Sequence, residues 1–327
     1  MTKPSTRVKM NGKPVHEVQA KSVINLQSGF ASKLLCDGPT FSTGSACAYS
    51  CSFCYVPDMM RKSTHHIEGA KHEDVVIRRA NALEVLRRQL THLNGKLKFP
   101  DPADRRVIYS SPLVDVAANM DLVRETIEAC RLILTLTHWQ IRLLSKSNLL
   151  PYIAEALGDY RDRMIYGVST GTLDDQLARV FEGGTPLVSK RLASLRSLQD
   201  GGFRTFGMIC PSLPLADNSY LAFANECAEA IRIDRCEHVW GEVINVRGES
   251  MTRTVDALRS AGFNAYADRL KEVSTDGEMW ESYARTTFLA HVAASMSYPG
   301  KLRFLQYVTV KTRSWWEARR EFGVVLL

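Results

Sequence analysis

Residues 44 to 58 read GSACAYSCSFCYVPD and set three cysteines, Cys47, Cys51 and Cys54, within eight residues of chain. Four thiolates would close a tetrahedral zinc site or saturate an iron–sulfur cluster. Three thiolates on a [4Fe–4S] cluster leave one iron open to a ligand from outside the protein. The loop is dense in Ser and Gly and is no core segment, so its cysteines are expected to hold metal. Zinc completed by His65 or His66 could also be drawn from this stretch, but zinc ligand sets usually come as two close pairs, and no second pair appears.

Working outward, the 327-residue chain carries 45 % hydrophobic residues, enough for one large domain or two smaller ones. No apolar run is long enough to span a membrane, and MTKPSTRVKMNGKPVHE at the amino terminus lacks the apolar stretch of a signal peptide. A cytoplasmic protein is therefore expected. Its eight cysteines would stay reduced there, which favours metal over a disulfide framework. The net charge of +7 is concentrated at the ends: residues 1 to 33 hold six Lys/Arg against one Glu, and residues 301 to 327 hold six against two. Such ends attract a polyanion or keep the chain in solution.

From residue 38 to 248, strand-like and helix-like segments alternate. The expected strands are PTFSTG (39 to 44), RVIYSS (106 to 111), IRLLSK (141 to 146), MIYGVST (164 to 170), RTFGMIC (204 to 210) and HVWGEVINV (238 to 246). Amphipathic helices are expected at 72 to 93, 120 to 136, 148 to 157, 173 to 182, 187 to 200 and 218 to 232. Strands alternating with long helices imply a parallel sheet. Six such units predict an α/β fold, a partial (β/α)6 TIM-like barrel whose site lies at the strands' C-terminal ends. The expected domains are a basic N-terminal extension (1 to 35), the barrel (36 to 250), and a helical, basic and aromatic C-terminal extension (251 to 327) that closes or caps it.

The spacing Cys47-x3-Cys51-x2-Cys54, with Phe53 beside the last cysteine, resembles the cluster loop of the radical S-adenosylmethionine superfamily. Within it, KSVINLQSG (21 to 29), LLSKSNLL (143 to 150) and the segment from Tyr166 to Pro214 are similar to the DNA repair photolyase, spore photoproduct lyase-like branch. The resemblance implies a [4Fe–4S] cluster on the three cysteines and S-adenosylmethionine as ligand of the open iron. It implies cleavage of that cofactor to a 5′-deoxyadenosyl radical, hydrogen abstraction from a substrate, and a reductant such as flavodoxin or ferredoxin. By the same resemblance Lys146 reaches the cofactor carboxylate, Ser169 the ribose or carboxylate, and Ser110 and Ser111 the methionine amino nitrogen. Tyr55 follows the last cysteine, where the backbone meets adenine. Glu182 and Arg191, around GGTPLVSK, form an ion pair or touch the cofactor; helix-end electrostatics is the plainer alternative.

The branch places a hydrogen-returning cysteine at the second strand, and this chain reads VIYSSPLVD there. Cys210 and Tyr109 are the candidate hydrogen donors instead, each also readable as a packed core residue. The tail KLRFLQYVTVKTRSWWEARREF interleaves Lys/Arg with Phe304, Tyr307, Trp315 and Trp316. That pattern suits a DNA, RNA or nucleotide substrate, with charge for phosphate and rings for stacking. The same rings could instead close the barrel. The expected function is a radical enzyme of nucleic-acid modification or repair. A radical enzyme for a small metabolite or peptide is the alternative, and a zinc module that binds nucleic acid without catalysis is a third reading.

Overall fold

The computed structural model describes residues 9–60, 71, 74–110, 112–246 and 248–327. The chain is mixed α/β with parallel strand pairing, and it divides into two compact units. The first comprises Met1–Ser50, Val56–Tyr166 and Gly201–Arg204; the second comprises Cys51–Tyr55, Gly167–Asp200 and Thr205–Leu327.

In the first unit the chain runs β1 (Lys9–Met10), β2 (Lys13–Val18), β3 (Ile24–Asn25), β4 (Thr40–Phe41), β5 (Gly44–Ala46), α1 (Val56–Met60), β6 (Val76–Arg79), α2 (Ala82–Leu90), β7 (Val107–Ser110), α3 (Met120–Leu136), β8 (Gln140–Ser145) and α4 (Leu150–Ala156). Strand β9 (Met164–Thr170) begins here and ends in the second unit.

The expected strand 39 to 44 is two strands in two sheets. Strand β4 pairs parallel with β7, and β7 parallel with β8, whereas β5 pairs antiparallel with β6. Arg79 holds the crossing point, its Nη1 donating to Ser42 O at 2.6 Å and its backbone N–H to Thr43 O at 2.9 Å. Only glycine fits at the start of β5: a Cβ on Gly44 would lie 2.6 Å from Ile77 O.

The expected helix 72 to 93 likewise divides. Its β-branched run pairs as β6 with β2, Val15 opposite Val76 and Val18 opposite Arg79, because branched side chains pack well on a pleated surface. Helix α2 then starts after Asn81, whose side chain binds both backbone groups of Ala20. It buries Ala82, Val85, Leu86 and Leu90 on one face.

Helix α3 spans the expected residues. Asn119 caps it by accepting from the N–H groups of Asp121 and Leu122, and Leu122, Val123, Ala129, Cys130, Ile133 and Leu134 are buried. Because β4, β7 and β8 are parallel, Ser110 and Ser145 close strands that point the same way. The chain that leaves those ends carries the residues of interest.

The second unit continues with α5 (Asp175–Phe181), α6 (Val188–Asp200), β10 (Arg204–Ser212), α7 (Tyr220–Ile231), β11 (Val239–Val243), α8 (Ser250–Ser260), α9 (Asn264–Thr275), α10 (Gly277–Ala294), β12 (Leu302–Gln306), α11 (Arg313–Glu317) and β13 (Val324–Leu326). Strands β10, β11, β12 and β13 pair in parallel in that order. Close backbone approach matters at Gly167, where a Cβ would sit 2.2 Å from the Phe206 ring. Phe206 in turn meets Trp240 edge-on with centroids 5.4 Å apart.

Two expectations change here. Strand β10 does not stop before Pro211. Pairing jumps from Ile209 opposite Gly241 to Ser212 opposite Val243, so one extra residue bulges out, and a bulge tolerates a proline that cannot donate. The side-chain alternation of the strand is therefore interrupted beside Cys210.

The tail rings are also not a common surface. Phe304 and Trp316 are fully buried and stack at 6.0 Å, and the Trp316 Nε1–H donates to Glu281 Oε1 at 2.7 Å. The Trp315 ring lies against two guanidinium groups, Arg285 at 4.5 Å and Arg319 at 3.7 Å. These aromatics belong to the core of the second unit, together with Leu177, Phe181, Tyr283 and Phe288.

Candidate active site

The cysteines are of two kinds. Cys36, Cys130, Cys227 and Cys236 are buried, and burial raises each of their pKa values, that of Cys236 to about 12. Such thiols stay protonated and inert, since the thiolate is the metal ligand and nucleophile. Cys47, Cys51, Cys54 and Cys210 are half-buried.

In the first unit, Cys47 follows β5, and its Sγ accepts from the backbone N–H of Asp115 at 3.5 Å. The Asp115 carboxylate accepts from Ser145 Oγ at 2.6 Å, from the Lys146 N–H at 2.7 Å and from the Ala117 N–H at 2.9 Å. Desolvation raises its pKa, against the pull of those three donors. Asp115 thus ties the first cysteine to the end of β8, where half-buried Lys146 begins the next loop. The signal for it was a lone acid in the apolar segment PLVDVAA, but its links to Ser145, Lys146 and Cys47 span at least 30 residues. Ser110 ends β7 and is buried. Tyr109 is also buried, one residue before that end, with its ring stacked on Phe30 at 5.3 Å. Ser111, His65 and His66 lie outside the described residues.

In the second unit, residues 51 to 55 rest on the end of α5. The Cys51 thiol donates to Glu182 O at 3.1 Å, the Ser52 N–H to Phe181 O at 2.9 Å, and Phe53 packs on Phe181 at 5.6 Å. Tyr55 is exposed at the end of this segment.

Glu182 and Arg191 form a fully buried ion pair, with Arg191 Nη2 on Glu182 Oε2. Arg191 spends its remaining donors on backbone, with Nη1 on Ser169 O at 2.9 Å and Nε on Pro186 O at 3.0 Å. Ser169 Oγ donates to Cys210 O at 3.1 Å. A hydrogen-bonded chain therefore joins Cys51, Glu182, Arg191, Ser169 and the Cys210 backbone. The Cys210 thiol donates to Glu242 Oε2 at 3.4 Å, and Glu242, buried at the end of β11, accepts from Asn245 Nδ2 at 2.8 Å. Neither Glu242 nor Asn245 was foreseen, because nothing in HVWGEVINV distinguishes a buried acid from an exposed one.

Among the described residues, no three His, Cys, Asp or Glu side chains are gathered as a metal-holding group. By donor chemistry, however, Cys47, Cys51 and Cys54 fit an iron–sulfur cluster: they are three half-buried thiols on one short segment, set apart from the inert buried ones. Among the described residues no helix is long and apolar enough to cross a membrane.

The fold so described has counterparts among solved structures. The neighbour that carries the likeness is spore photoproduct lyase. Its structure complexed with dinucleoside spore photoproduct matches with a TM-score of 0.55 and 12 % identity, over 75 % of this chain and 66 % of that one. A mutant with bound AdoMet and dinucleoside spore photoproduct matches with a TM-score of 0.51 and 12 % identity, over 68 % and 61 %. The chain therefore spans less than two thirds of either. An uncharacterized protein, ORF301, of Acidianus two-tailed virus is 23 % identical over 244 residues, 72 % of this chain and 76 % of that protein. No family model matches.

Proposed function

We propose that this chain is a radical S-adenosylmethionine enzyme whose substrate is a nucleotide or nucleic acid. The observation that carries the reading is the set of three half-buried thiols, Cys47, Cys51 and Cys54, in a chain with the fold of spore photoproduct lyase. Residues 36 to 250 would form the partial (β/α)6 barrel, with residues 251 to 327 as an added cap. When bound, a [4Fe–4S] cluster supplies a low-potential electron and one open coordination position for S-adenosylmethionine.

The protein's part is to hold and position. The three cysteines hold the cluster as thiolates. Lys146 meets the cofactor carboxylate as a point charge, and its loop is fixed by the Lys146 N–H on Asp115. Ser110 and Ser111 accept from the amino nitrogen, Ser169 meets the ribose or carboxylate, and the backbone beside Phe53 and Tyr55 receives adenine. The Glu182–Arg191 pair supports Ser169 through its carbonyl rather than touching the cofactor itself. Cys210 or Tyr109 returns a hydrogen to the substrate. Flavodoxin or ferredoxin is the fitting class of electron donor.

The substrate class rests on the dinucleoside bound by spore photoproduct lyase and on the basic chain ends. Burial of Phe304 and Trp316 removes two of the four tail rings that pointed to nucleic acid, which keeps a small metabolite or peptide as the second reading.

The test is anaerobic. Reduced, iron-loaded protein should cleave S-adenosylmethionine to 5′-deoxyadenosine and methionine; an intact cluster that leaves it whole would overturn the proposal. Lys146→Met should weaken S-adenosylmethionine binding by about 1.5 to 3 kcal/mol, the range for hydrogen bonds to charged groups, while iron content stays constant. Titration calorimetry would read that as a dissociation constant raised about 10- to 150-fold. A gel shift with oligonucleotides, weakening as salt rises, separates the nucleic-acid reading from the metabolite one.

A further inference from the structure

The turn Cys51–Cys54, closed by the Cys54 N–H on Cys51 O at 3.1 Å, is held by the end of α5 and also by α8. Arg253 Nη2 donates to Cys54 O at 2.7 Å and Arg253 Nε to Ser52 O at 3.2 Å, across sequence separations of 199 and 201 residues. The next residue, Thr254, is fully buried and shares a hydrogen bond with Ser52 Oγ at 3.1 Å.

The position of this arginine is unusual for a helix. It is the fourth residue of α8, within the first turn, where the helix dipole disfavours a cation. Glu249, an exposed acid, lies 3.9 Å away and offsets part of that cost. The loop carbonyls supply the rest. One planar guanidinium thus binds two carbonyls two residues apart and fixes the turn between the second and third cysteines.

We infer that Arg253 is a positioning residue of the cysteine loop, fixing the Cys51–Cys54 turn and raising the reduction potential of a cluster bound there. The inference rests on the cluster-binding reading above. Net charge and hydrogen bonding around the sulfurs set cluster potentials, and a fixed cation stabilises the more negative, reduced form. The role belongs to the segment after residue 250, which the sequence assigned to capping.

The experiment uses full-length, anaerobically reconstituted protein and two variants. In an EPR-monitored potentiometric titration, Arg253→Gln should titrate at a more negative potential than wild type. Arg253→Lys, which keeps the charge but loses the two-pronged geometry, should stay close to wild type in potential. Both variants should release iron to a chelator severalfold faster. Metal-free protein gives an independent readout: in Arg253→Gln the Cys54 amide should exchange its hydrogen about tenfold faster or more. Unchanged potential and iron release in an iron-loaded Arg253→Gln overturn this inference and leave the cluster reading standing. If that variant takes up no iron, unchanged exchange at Cys54 overturns it. A wild-type protein that binds no iron overturns both.

Discussion

Arg191→Met should destabilise the protein by about 3 to 5 kcal/mol, the cost of leaving one member of a buried ion pair without its partner. Arg191 and Glu182 have no exposed side-chain surface, so no water can replace the lost guanidinium. The substitution also strips donors from Ser169 O and Pro186 O, two buried or half-buried acceptors that would then face no cation. Chemical denaturation followed by circular dichroism would show the lower midpoint. The double variant Glu182→Gln, Arg191→Met should recover part of the loss, because the uncompensated charge is gone. A loss below about 1 kcal/mol for Arg191→Met, the range of an exposed pair, would mean that water reaches this site.

Replacing Cys47, Cys51 or Cys54 with Ala should abolish stable iron binding, since each removal leaves two thiolates for a cluster that needs three from the protein. Cys130→Ala and Cys227→Ala are the matching controls. Their thiols are buried and raised in pKa by that burial, so their loss should cost stability and leave iron untouched. Iron and acid-labile sulfide assays on all five variants separate the two groups. Iron retained in Cys51→Ala, or lost in Cys130→Ala, would reassign the ligands.

What was readable in advance divides along physical lines. Helix 120 to 136 and strand 164 to 170 were legible to the residue, because apolar patterning is a local signal. Strand β6 was hidden inside an expected helix because Val76 and Ile77 become a strand through pairing with β2, about 60 residues earlier. The split of residues 39 to 46 between two sheets has the same cause. The three cysteines stand out as a group in the sequence because their spacing is itself a local pattern.

Asp115 and Arg253 were not legible. The contacts that give them a role, Asp115 with Ser145 and Lys146 and Arg253 with Ser52 and Cys54, come from distant chain, and a single acid or a single arginine early in a helix looks like ordinary surface charge. The tail left two readings open, a binding surface or packed rings, because Phe304 and Trp316 stand among Lys and Arg; strand β12 and helix α11 turn those two rings inward.

The central claim is that three cysteines hold a cluster with one iron open to S-adenosylmethionine. Its most direct measurement is the EPR spectrum of the dithionite-reduced, reconstituted protein, recorded with and without S-adenosylmethionine. The account predicts a reduced [4Fe–4S] signal in wild type whose g-values shift when S-adenosylmethionine is added, and no such signal in Cys47→Ala. A wild-type cluster signal that S-adenosylmethionine leaves unchanged, or a colourless protein with stoichiometric zinc, would contradict it.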